Sequence, residues 1–351
     1  MNQNCSIMIN NRPIGNAHPP YVIAELSGNH NGSLQRAFAF LERMQKTGVD
    51  AVKLQTYTAD TITIDHDGPE FQLHSGLWAG RTLYDLYQEA HTPWEWHEPL
   101  FRRARELGLT LFSTPFDFTA IDLLQSLDAP AYKIASLELI DLPLIARAAQ
   151  TGKPLILSTG AATLSQIAEA VMTARNHGCQ EIAILKCTSE YPAPPEEINL
   201  RTIPFFKELF DTVIGLSDHS LGIAVPVAAV SLGASMIEKH VTLDRAEGGV
   251  DSAFSLDPEE LEQMIAQCRT AWQALGTVHI GPTAGETNAV ANRRSLYVVR
   301  DMVENEPFSV ENVRSIRPGH GLPPKHLPEI IGRRARRTLR KGTALKWEDI
   351  Q

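Results

Sequence analysis

The sequence predicts an α/β protein built on a TIM (β/α)8 barrel and followed by a small C-terminal domain. Eight short apolar runs alternate with amphipathic segments, over about 250 residues, which is the length and pattern of such a barrel. Polar side chains crowd the ends of these runs, where barrel enzymes carry their catalytic groups. The sign of the net charge also changes near residue 285, which indicates a second module.

The eight runs follow one another as successive barrel strands would. They cover residues 21–26, 51–56, 110–116, 131–136, 155–160, 181–191, 213–220 and 235–242. Segments with apolar residues three and four apart, each ending in Gly, predict helices at 34–48, 92–108, 164–178 and 258–276. A doubly wound open sheet is the alternative. AELSGNHNG after the first run does not match the GxGxxG fingerprint of that fold, so the barrel is favoured.

Residues 57–91, between the second and third predicted strands, are longer than an ordinary barrel connection. Such an insertion follows a strand end and therefore overhangs the barrel mouth. It is either a lid over the mouth or a dimer contact.

Composition is typical of a globular enzyme. The chain has 351 residues, 43% of them hydrophobic and 21% charged, which suffices for one large domain and a smaller one. No apolar run reaches membrane-spanning length and no basic, then hydrophobic, leader is visible, so a soluble cytoplasmic protein is expected. The four cysteines show no CxxC spacing, which predicts free thiols. Cys187 is either a nucleophile or a small buried hydrophobe.

The charge asymmetry sets the domain prediction: a barrel domain at 1–275, a Gly/Thr/Asn-rich linker at 276–292 and a second domain at 293–351. Residues 285–351 carry 13 Lys+Arg and 8 Asp+Glu, net +5, which leaves −14 for the remainder. The basic stretch at 332–342 raises a nucleic-acid-binding protein on an inactive barrel as a rival. It lacks interleaved aromatics, and a solvated or anion-facing surface is favoured, so no nucleic-acid partner is expected.

Two histidines close successive predicted strands: His219 ends IGLSDHS and His240 ends MIEKH. Imidazoles at neighbouring strand ends predict a divalent metal site on the barrel rim. The alternative is that each histidine is a satisfied, half-buried hydrogen-bonding residue. Ser217, Asp218 and Lys239 at the same strand ends favour the functional interpretation.

Two lysines lie within strands, Lys53 in AVKLQT and Lys133 in AYKIAS. Burying an unpaired ammonium is costly, and an anionic ligand would remove that cost. Hydroxyl groups at other strand ends suit a phosphate or carboxylate held in the barrel mouth. The alternative pairs the lysines with rim carboxylates such as Glu25 and Glu138.

A series of motifs resembles the family of nonulosonic (sialic) acid synthases over nearly the whole chain after about residue 15. In order, the motifs are AELSGNHNG, KLQTYTADT, FSTPFD, YKIAS, ILSTG, KCTSEYPAP, GLSDHSLG and IEKHVT. The stretch 293–324 resembles the antifreeze-like (SAF) domain of that family. This resemblance implies a β-clip fold, and ice binding is not expected. LWAGRTLYDLYQEAHTPWEWH and DSAFSLDPEE resemble the pseudaminic acid branch, with the legionaminic and N-acetylneuraminic acid branches as alternatives.

The resemblance implies a transferase that condenses phosphoenolpyruvate with an N-acetylated amino sugar, here a 2,4-diacetamido-2,4,6-trideoxy sugar of altro configuration. It implies Glu25 as the catalytic carboxylate and His219 and His240 as ligands of a divalent ion, Mn²⁺ first, with Mg²⁺ or Co²⁺ possible. The phosphoenolpyruvate contacts that it implies are Lys53, Thr114, Lys133, Ser136, Ser158, Ser189 and Ser217. Ser189 stands where the neuraminate branch has Asn, which leaves its partner open.

The implied sugar contacts are Gln55, Tyr191 and Asp251 of the barrel, and Arg317 in IRPGHG. The context of Asp251, GVDSAFS, departs from the neuraminate branch, and sugar selectivity is expected there. In the family, the SAF domain lends its arginine to the partner subunit. A domain-swapped homodimer is therefore expected.

Overall fold

Residues 5–351 are described by the structure, a computed structural model. The chain divides after Gly276 into two units, Met1–Gly276 and Thr277–Gln351. The first unit corresponds to the predicted barrel domain. The predicted linker at 276–292 falls almost wholly in the second unit, where it includes a short helix.

In the first unit, eight parallel strands close into a barrel in the order β10-β3-β4-β5-β6-β7-β8-β9, as the sequence predicts. They are β3 Tyr21–Glu25, β4 Ala51–Thr56, β5 Thr110–Pro115, β6 Tyr132–Ile134, β7 Leu155–Ser158, β8 Ile182–Cys187, β9 Val213–Asp218 and β10 Met236–His240. Each lies within one of the eight predicted runs. Their carboxyl ends meet at one rim, as parallel strands require.

Helices follow the strands along the chain, and all except the two at 59–62 and 83–90, which belong to the insertion, surround the barrel. They are α1 Leu34–Thr47, α2 Ala59–Ile62, α3 Leu83–Ala90, α4 Trp94–Glu106, α5 Phe118–Ser126, α6 Leu142–Ala149, α7 Leu164–Asn176, α8 Thr202–Leu209, α9 Ala224–Ser231 and α10 Pro258–Leu275. The four helices that the sequence predicts are α1, α4, α7 and α10. In α1, the Ser33 hydroxyl accepts the backbone N–H of Arg36, and Gly48 ends the helix at φ 76°.

Strand alternation separates two apolar cores. Outward-facing residues of the strands pack against the helices, and inward-facing residues fill the barrel interior. An N-terminal hairpin, β1 Ser6–Ile9 with β2 Arg12–Gly15, was not foreseen from the sequence. Its Ile7, Ile9 and Ile14 join the interior core with Tyr21 and Met236, so the hairpin packs into the N-terminal end of the barrel.

The insertion at 57–91 is structured. It contains α2, a short 3₁₀ turn at Pro69–Phe71 and α3, and Gln72 bridges to Thr82. Among residues 5–351, no helix has the length and apolar character needed to cross a membrane.

The second unit has its own small core. Strands β11 Ser295–Val298 and β12 Val313–Ile316 pair antiparallel, with short helices α11 Thr287–Ala291 and α12 Leu327–Ile330. Leu296, Phe308 and Leu339 lie among its buried residues. Residues 277–289, ahead of these strands, are exposed throughout.

Candidate active site

The strand register brings polar residues to one level of the barrel interior. Glu25 on β3 lies opposite Lys53 on β4, His240 on β10 lies opposite Glu25, and Ser217 on β9 lies opposite Glu238. Inward positions alternate with outward ones, so the last one or two inward residues of each strand face the carboxyl-terminal rim. These residues supply the charged floor of the site.

Four buried charged groups form that floor. Glu25 Oε2 lies 2.7 Å from Lys53 Nζ, and Gln55 Nε2 donates to Glu25 Oε1 at 3.1 Å. On the other side, Glu238 Oε1 lies 3.3 Å from Lys133 Nζ and 3.8 Å from Lys53 Nζ. All four charged residues are 3% exposed or less. Two acids and two bases therefore share one network.

Hydroxyl groups extend the network. Lys53 Nζ donates to Thr114 Oγ1 at 3.1 Å, and Ser217 Oγ donates to Glu238 Oε1 at 3.1 Å. Burial raises the pKa of Glu25, against the opposing effect of Lys53. Burial also acts to raise the pKa of Glu238, but the two lysines outweigh it and the pKa is lowered. The two carboxyls thus differ in electrostatic environment.

Glu238 is the functional candidate that sequence reasoning missed. It stands two residues before His240, so strand alternation places both on the inward face. The alternative pairing of the lysines is half right: Lys53 pairs with Glu25, but Lys133 pairs with Glu238 rather than Glu138. The cost of burying the lysines is therefore met inside the protein, and the lysines alone do not require an anion.

The stronger indication of an anion site comes from hydroxyls without partners. Within residues 5–351, the Oγ atoms of Ser158 and Ser189 are buried and have no hydrogen-bond partner. Ser136 Oγ accepts the N–H of Gly160 at 3.0 Å. A Cβ on Gly160 would come 2.1 Å from Ser189 Oγ and 2.8 Å from Ser136 Oγ. Gly160, which the sequence analysis did not single out, keeps this cradle of donors open.

His219 and His240 lie side by side, with ring centroids 5.3 Å apart. The Nδ1 of His219 is 2.9 Å from the Thr188 carbonyl oxygen, which assigns the proton to Nδ1 and leaves Nε2 as a free acceptor. Among the residues that the structure describes, the buried His240 Nδ1 has no hydrogen-bond partner, and it lies 3.7 Å from Asp251 Oδ2. Burial and the neighbouring His219 hold the pKa of His240 well below its ordinary value.

This pair fits a divalent ion that takes its other ligands from water or substrate. Neutral imidazole nitrogens are good ligands for first-row divalent metals, and the Thr188 contact orients one ring in the usual way. In the described part of the chain, no three His, Cys, Asp or Glu side chains converge as a complete ligand set. An all-protein tetrahedral zinc site is therefore not built here.

Cys187 lies next to the histidines. Its Sγ is 3.9 Å from His219 Nδ1. Burial acts to raise its pKa, but His219 lowers the pKa to about 7. The sequence shows no base beside this cysteine, whereas the fold brings one from the next strand. The same His219 nitrogen donates to the Thr188 carbonyl oxygen, so it does not serve Cys187 as a general base.

A cavity of about 260 Å³ opens over this floor. Its polar residues include Gln55, Ser136, Ser189, Tyr191, His240 and Asp251, all predicted from the sequence. Asp251 accepts a hydrogen bond from Ser27, and burial raises its pKa. A larger cavity of about 440 Å³ lies beside the β1–β2 hairpin and contains none of the predicted residues.

The structure places Asp218, Lys239 and Arg317 differently from the other predicted residues. Asp218 and Lys239 pair with each other at 2.5 Å on the outward face of β9 and β10, so they do not belong to the site. Arg317 lies in the second unit and is exposed there. The remaining residues of the predicted site lie within barrel strands or in the segments that follow the strands' carboxyl ends.

Comparison with known proteins agrees with this geometry. The NeuB family profile matches residues 40–280, and the SAF domain profile matches 293–351. The chain is 42% identical to the pseudaminic acid synthase of Campylobacter jejuni, over 94% of this chain and 96% of that protein. It is 42% identical to the pseudaminic acid synthase of Helicobacter pylori, over 95% and 98%. A crystal structure of the N-acetylneuraminic acid synthetase of Leptospira borgpetersenii superimposes with a TM-score of 0.73 at 30% identity, covering 81% of this chain and 95% of that one.

Proposed function

This chain belongs to the NeuB family and carries a SAF domain, and from that premise we propose that it is a pseudaminic acid synthase. The reaction condenses phosphoenolpyruvate with 2,4-diacetamido-2,4,6-trideoxy-β-L-altropyranose and releases phosphate. The observation that carries the proposal is the 42% identity, over nearly the full length of both chains, to two pseudaminic acid synthases. The neuraminate relative stands at 30%.

The floor and the hydroxyl cradle support the phosphoenolpyruvate half of the reaction. Lys53 and Lys133 supply positive charge, and Ser136, Ser158 and Ser189 supply hydroxyl donors for phosphate and carboxylate oxygens. Thr114 and Ser217 complete the set by fixing Lys53 and Glu238. Bound in this way, the enol phosphate would present C3 to the sugar aldehyde held in the cavity above.

The position of Glu25 supports the second half of the reaction, in which water is added and phosphate is released. Attack by C3 leaves an oxocarbenium-like centre at C2, which takes up water before the adduct expels phosphate. The buried carboxylate of Glu25, fixed by Lys53 and Gln55, would orient that water, accept its proton and stabilise the positive centre. Gln55, Tyr191 and Asp251 line the cavity in which the sugar would lie.

A divalent ion, Mn²⁺ in preference to Mg²⁺ or Co²⁺, would be held by His219 and His240. When bound, it would supply a Lewis acid for the sugar carbonyl. We expect EDTA to abolish turnover and Mn²⁺ to restore it. Calorimetric titration with Mn²⁺ should show binding to the native chain and none to a folded His219→Ala variant. Full turnover in the chelated protein would exclude this assignment.

The second domain is proposed to serve a partner subunit in a domain-swapped homodimer. Its positive balance complements the acidic remainder of the chain, and Arg317 is exposed. Mixed Arg317→Ala and Glu25→Gln chains should regain activity, because a heterodimer then contains one site with neither lesion. Verified subunit exchange without recovery would exclude the shared site.

The sugar is tested directly. Phosphate release is measured with the altro-configured diacetamido sugar, its legionaminic-type stereoisomer and N-acetylmannosamine. We expect the altro sugar to give the highest kcat/KM. A higher value for either other sugar would move the chain to a legionaminic or N-acetylneuraminic acid synthase with the same chemistry.

A further inference from the structure

The cavity over the charged floor has two unlike walls. Strand ends and their loops contribute the polar wall, which contains Gln55, Ser189 and Asp251. The opposite wall comes mainly from the insertion at 57–91. The insertion residues that line the cavity are Tyr57, Ile62, Leu73, Trp78, Leu83, Leu86, Tyr87 and Ala90. They offer the cavity mainly aliphatic and aromatic surface.

The apolar wall is fixed to the barrel. Trp78 Nε1 donates to the carbonyl oxygen of Val250 at 2.8 Å, next to Asp251. The ring of Tyr57 packs edge-on against Tyr87, with centroids 5.7 Å apart. Gly28 permits the close approach, since a Cβ there would come 2.2 Å from Val250 and 3.3 Å from Ala90. The wall is therefore part of the site in the structure as it stands.

Exposure within the insertion separates two groups of apolar residues. Ile62 and Leu83 line the cavity and are half-buried, whereas Ile64 and Leu77 are 55% and 45% exposed and do not line it. A segment that served only as a surface contact would not be expected to direct eight of its own residues toward a cavity. The insertion thus has an inward role.

We propose that the insertion at 57–91 selects the sugar by its methyl groups. This inference rests on the proposed function. A 2,4-diacetamido-2,4,6-trideoxy sugar carries three methyl groups, at C6 and on the two acetyl groups, and the apolar wall is the surface of the cavity that accommodates them. A C6 hydroxyl placed against the aliphatic side chains of this wall, such as Ile62 and Leu83, loses its water without gaining a hydrogen bond from them, which penalises the 6-hydroxy analogue.

The size of the discrimination follows from the chemistry. An apolar pocket rejects a ligand with one added hydroxyl by roughly 10- to 100-fold in kcat/KM. A polar side chain in the wall offers that hydroxyl a partner and weakens contact with the methyl group. Both changes reduce the ratio, and neither touches the phosphoenolpyruvate cradle.

The test compares the 6-deoxy sugar with its 6-hydroxy counterpart of the same configuration. Wild-type chain should prefer the deoxy sugar by roughly 10- to 100-fold in kcat/KM for phosphate release. Ile62→Asn and Leu83→Asn should each reduce the ratio by roughly 10-fold, with the KM for phosphoenolpyruvate unchanged. Ile64→Asn and Leu77→Asn are the matched controls and should keep the wild-type ratio.

The outcomes separate this inference from the proposed function. A wild-type ratio in both wall variants, or equal effects in wall and control variants, overturns the selectivity role. If one wall variant does not fold, as judged by thermal unfolding, the other decides. If wild-type chain releases phosphate with neither sugar, the proposed function fails. The wall is then judged by calorimetric titration of both sugars with phosphoenolpyruvate present, where equal or undetectable binding overturns it.

Discussion

Strands β9 and β10 bury charged side chains on both faces, and the hydrogen bonding of these side chains differs between the two faces. On the outward face, Asp218 receives Lys239, the Ser220 hydroxyl and the Ser220 backbone N–H, and Lys239 also donates to the Ser220 carbonyl. On the inward face, Glu238 Oε2 has no hydrogen-bond partner among residues 5–351. The outward ion pair already uses its hydrogen-bonding atoms within the protein. The inward network keeps an acceptor atom that a ligand or water could use.

The outward pair should show the largest effect on stability. Lys239→Met leaves the Asp218 carboxylate buried without its counter-ion, which costs about 3–5 kcal/mol in the free energy of unfolding. Urea denaturation measures the loss. Lys133→Met on the inward face should cost less, because Glu238 keeps Lys53 and Ser217. Equal losses would remove the distinction between the two faces. The double variant Asp218→Leu with Lys239→Met should recover part of the loss.

The inward network should show the largest effect on turnover. Glu25→Gln keeps the shape of the side chain and removes its charge, so phosphoenolpyruvate binding should persist while kcat falls roughly 10²-fold or more. Phosphate release and calorimetry measure the two quantities. Glu181→Gln, just before the amino-terminal end of β8, is the control and should retain activity. Parallel losses in binding and turnover would indicate that Glu25 is only structural.

A second outward network predicts a pH effect. His97 lies behind β4, with its Nε2 2.8 Å from Thr56 Oγ1, and burial lowers its pKa to about 4. The unfolded imidazole takes up its proton near pH 6.5, so between that pH and about 4 the unfolded state binds more protons. The free energy of unfolding should therefore decrease as the pH is lowered through this window, by about 1.4 kcal/mol per pH unit from this group.

Denaturation at pH 7 and pH 5 measures that slope. His97→Gln should flatten it, leaving a residual slope from His30 and His240, whose pKa values burial also lowers. His74→Gln, at an exposed position, is the control and should keep the wild-type slope. An unchanged slope in His97→Gln would place the acid sensitivity elsewhere.

The smallest effect belongs to an ion pair outside the barrel. Arg43 of α1 contacts Glu259 and Glu262 of α10, each at 2.8 Å. Because solvent screens these charges, Arg43→Ala should change the free energy of unfolding by less than about 1 kcal/mol. Thermal denaturation measures the change, and a loss comparable to that of Lys239→Met would contradict the ranking.

The barrel could be predicted because its strands are apolar, evenly distributed and followed by polar residues. The hairpin at residues 6–15 was missed because two four-residue strands carry little periodic signal. The histidine pair was predicted from strand ends alone, and the structure places the two rings 5.3 Å apart. Asp218 and Lys239 were misplaced because adjacency to a histidine in sequence means the opposite face in a strand.

Partners distant in sequence lay beyond prediction. Lys133 and Glu238 are 105 residues apart, and only the closed barrel makes them neighbours. The same holds for Cys187 and His219, which adjacent strands bring together. The inference about the insertion rests on the cavity that it lines, because its short helices alone are equally compatible with a lid or a surface contact.

The N-terminal hairpin affects how ligands enter and leave the barrel. With Ile9 and Ile14 fully buried in the interior core, the hairpin fills the amino-terminal end of the barrel, and the cavity over the charged floor lies at the carboxyl-terminal end. The charged floor is at most 3% exposed and lies beneath the cavity. A second ligand bound in the cavity would therefore block the exit of a ligand bound on the floor. We expect the ligand of the floor to bind before the ligand of the cavity above it. A product formed on the floor should leave only after that cavity is empty.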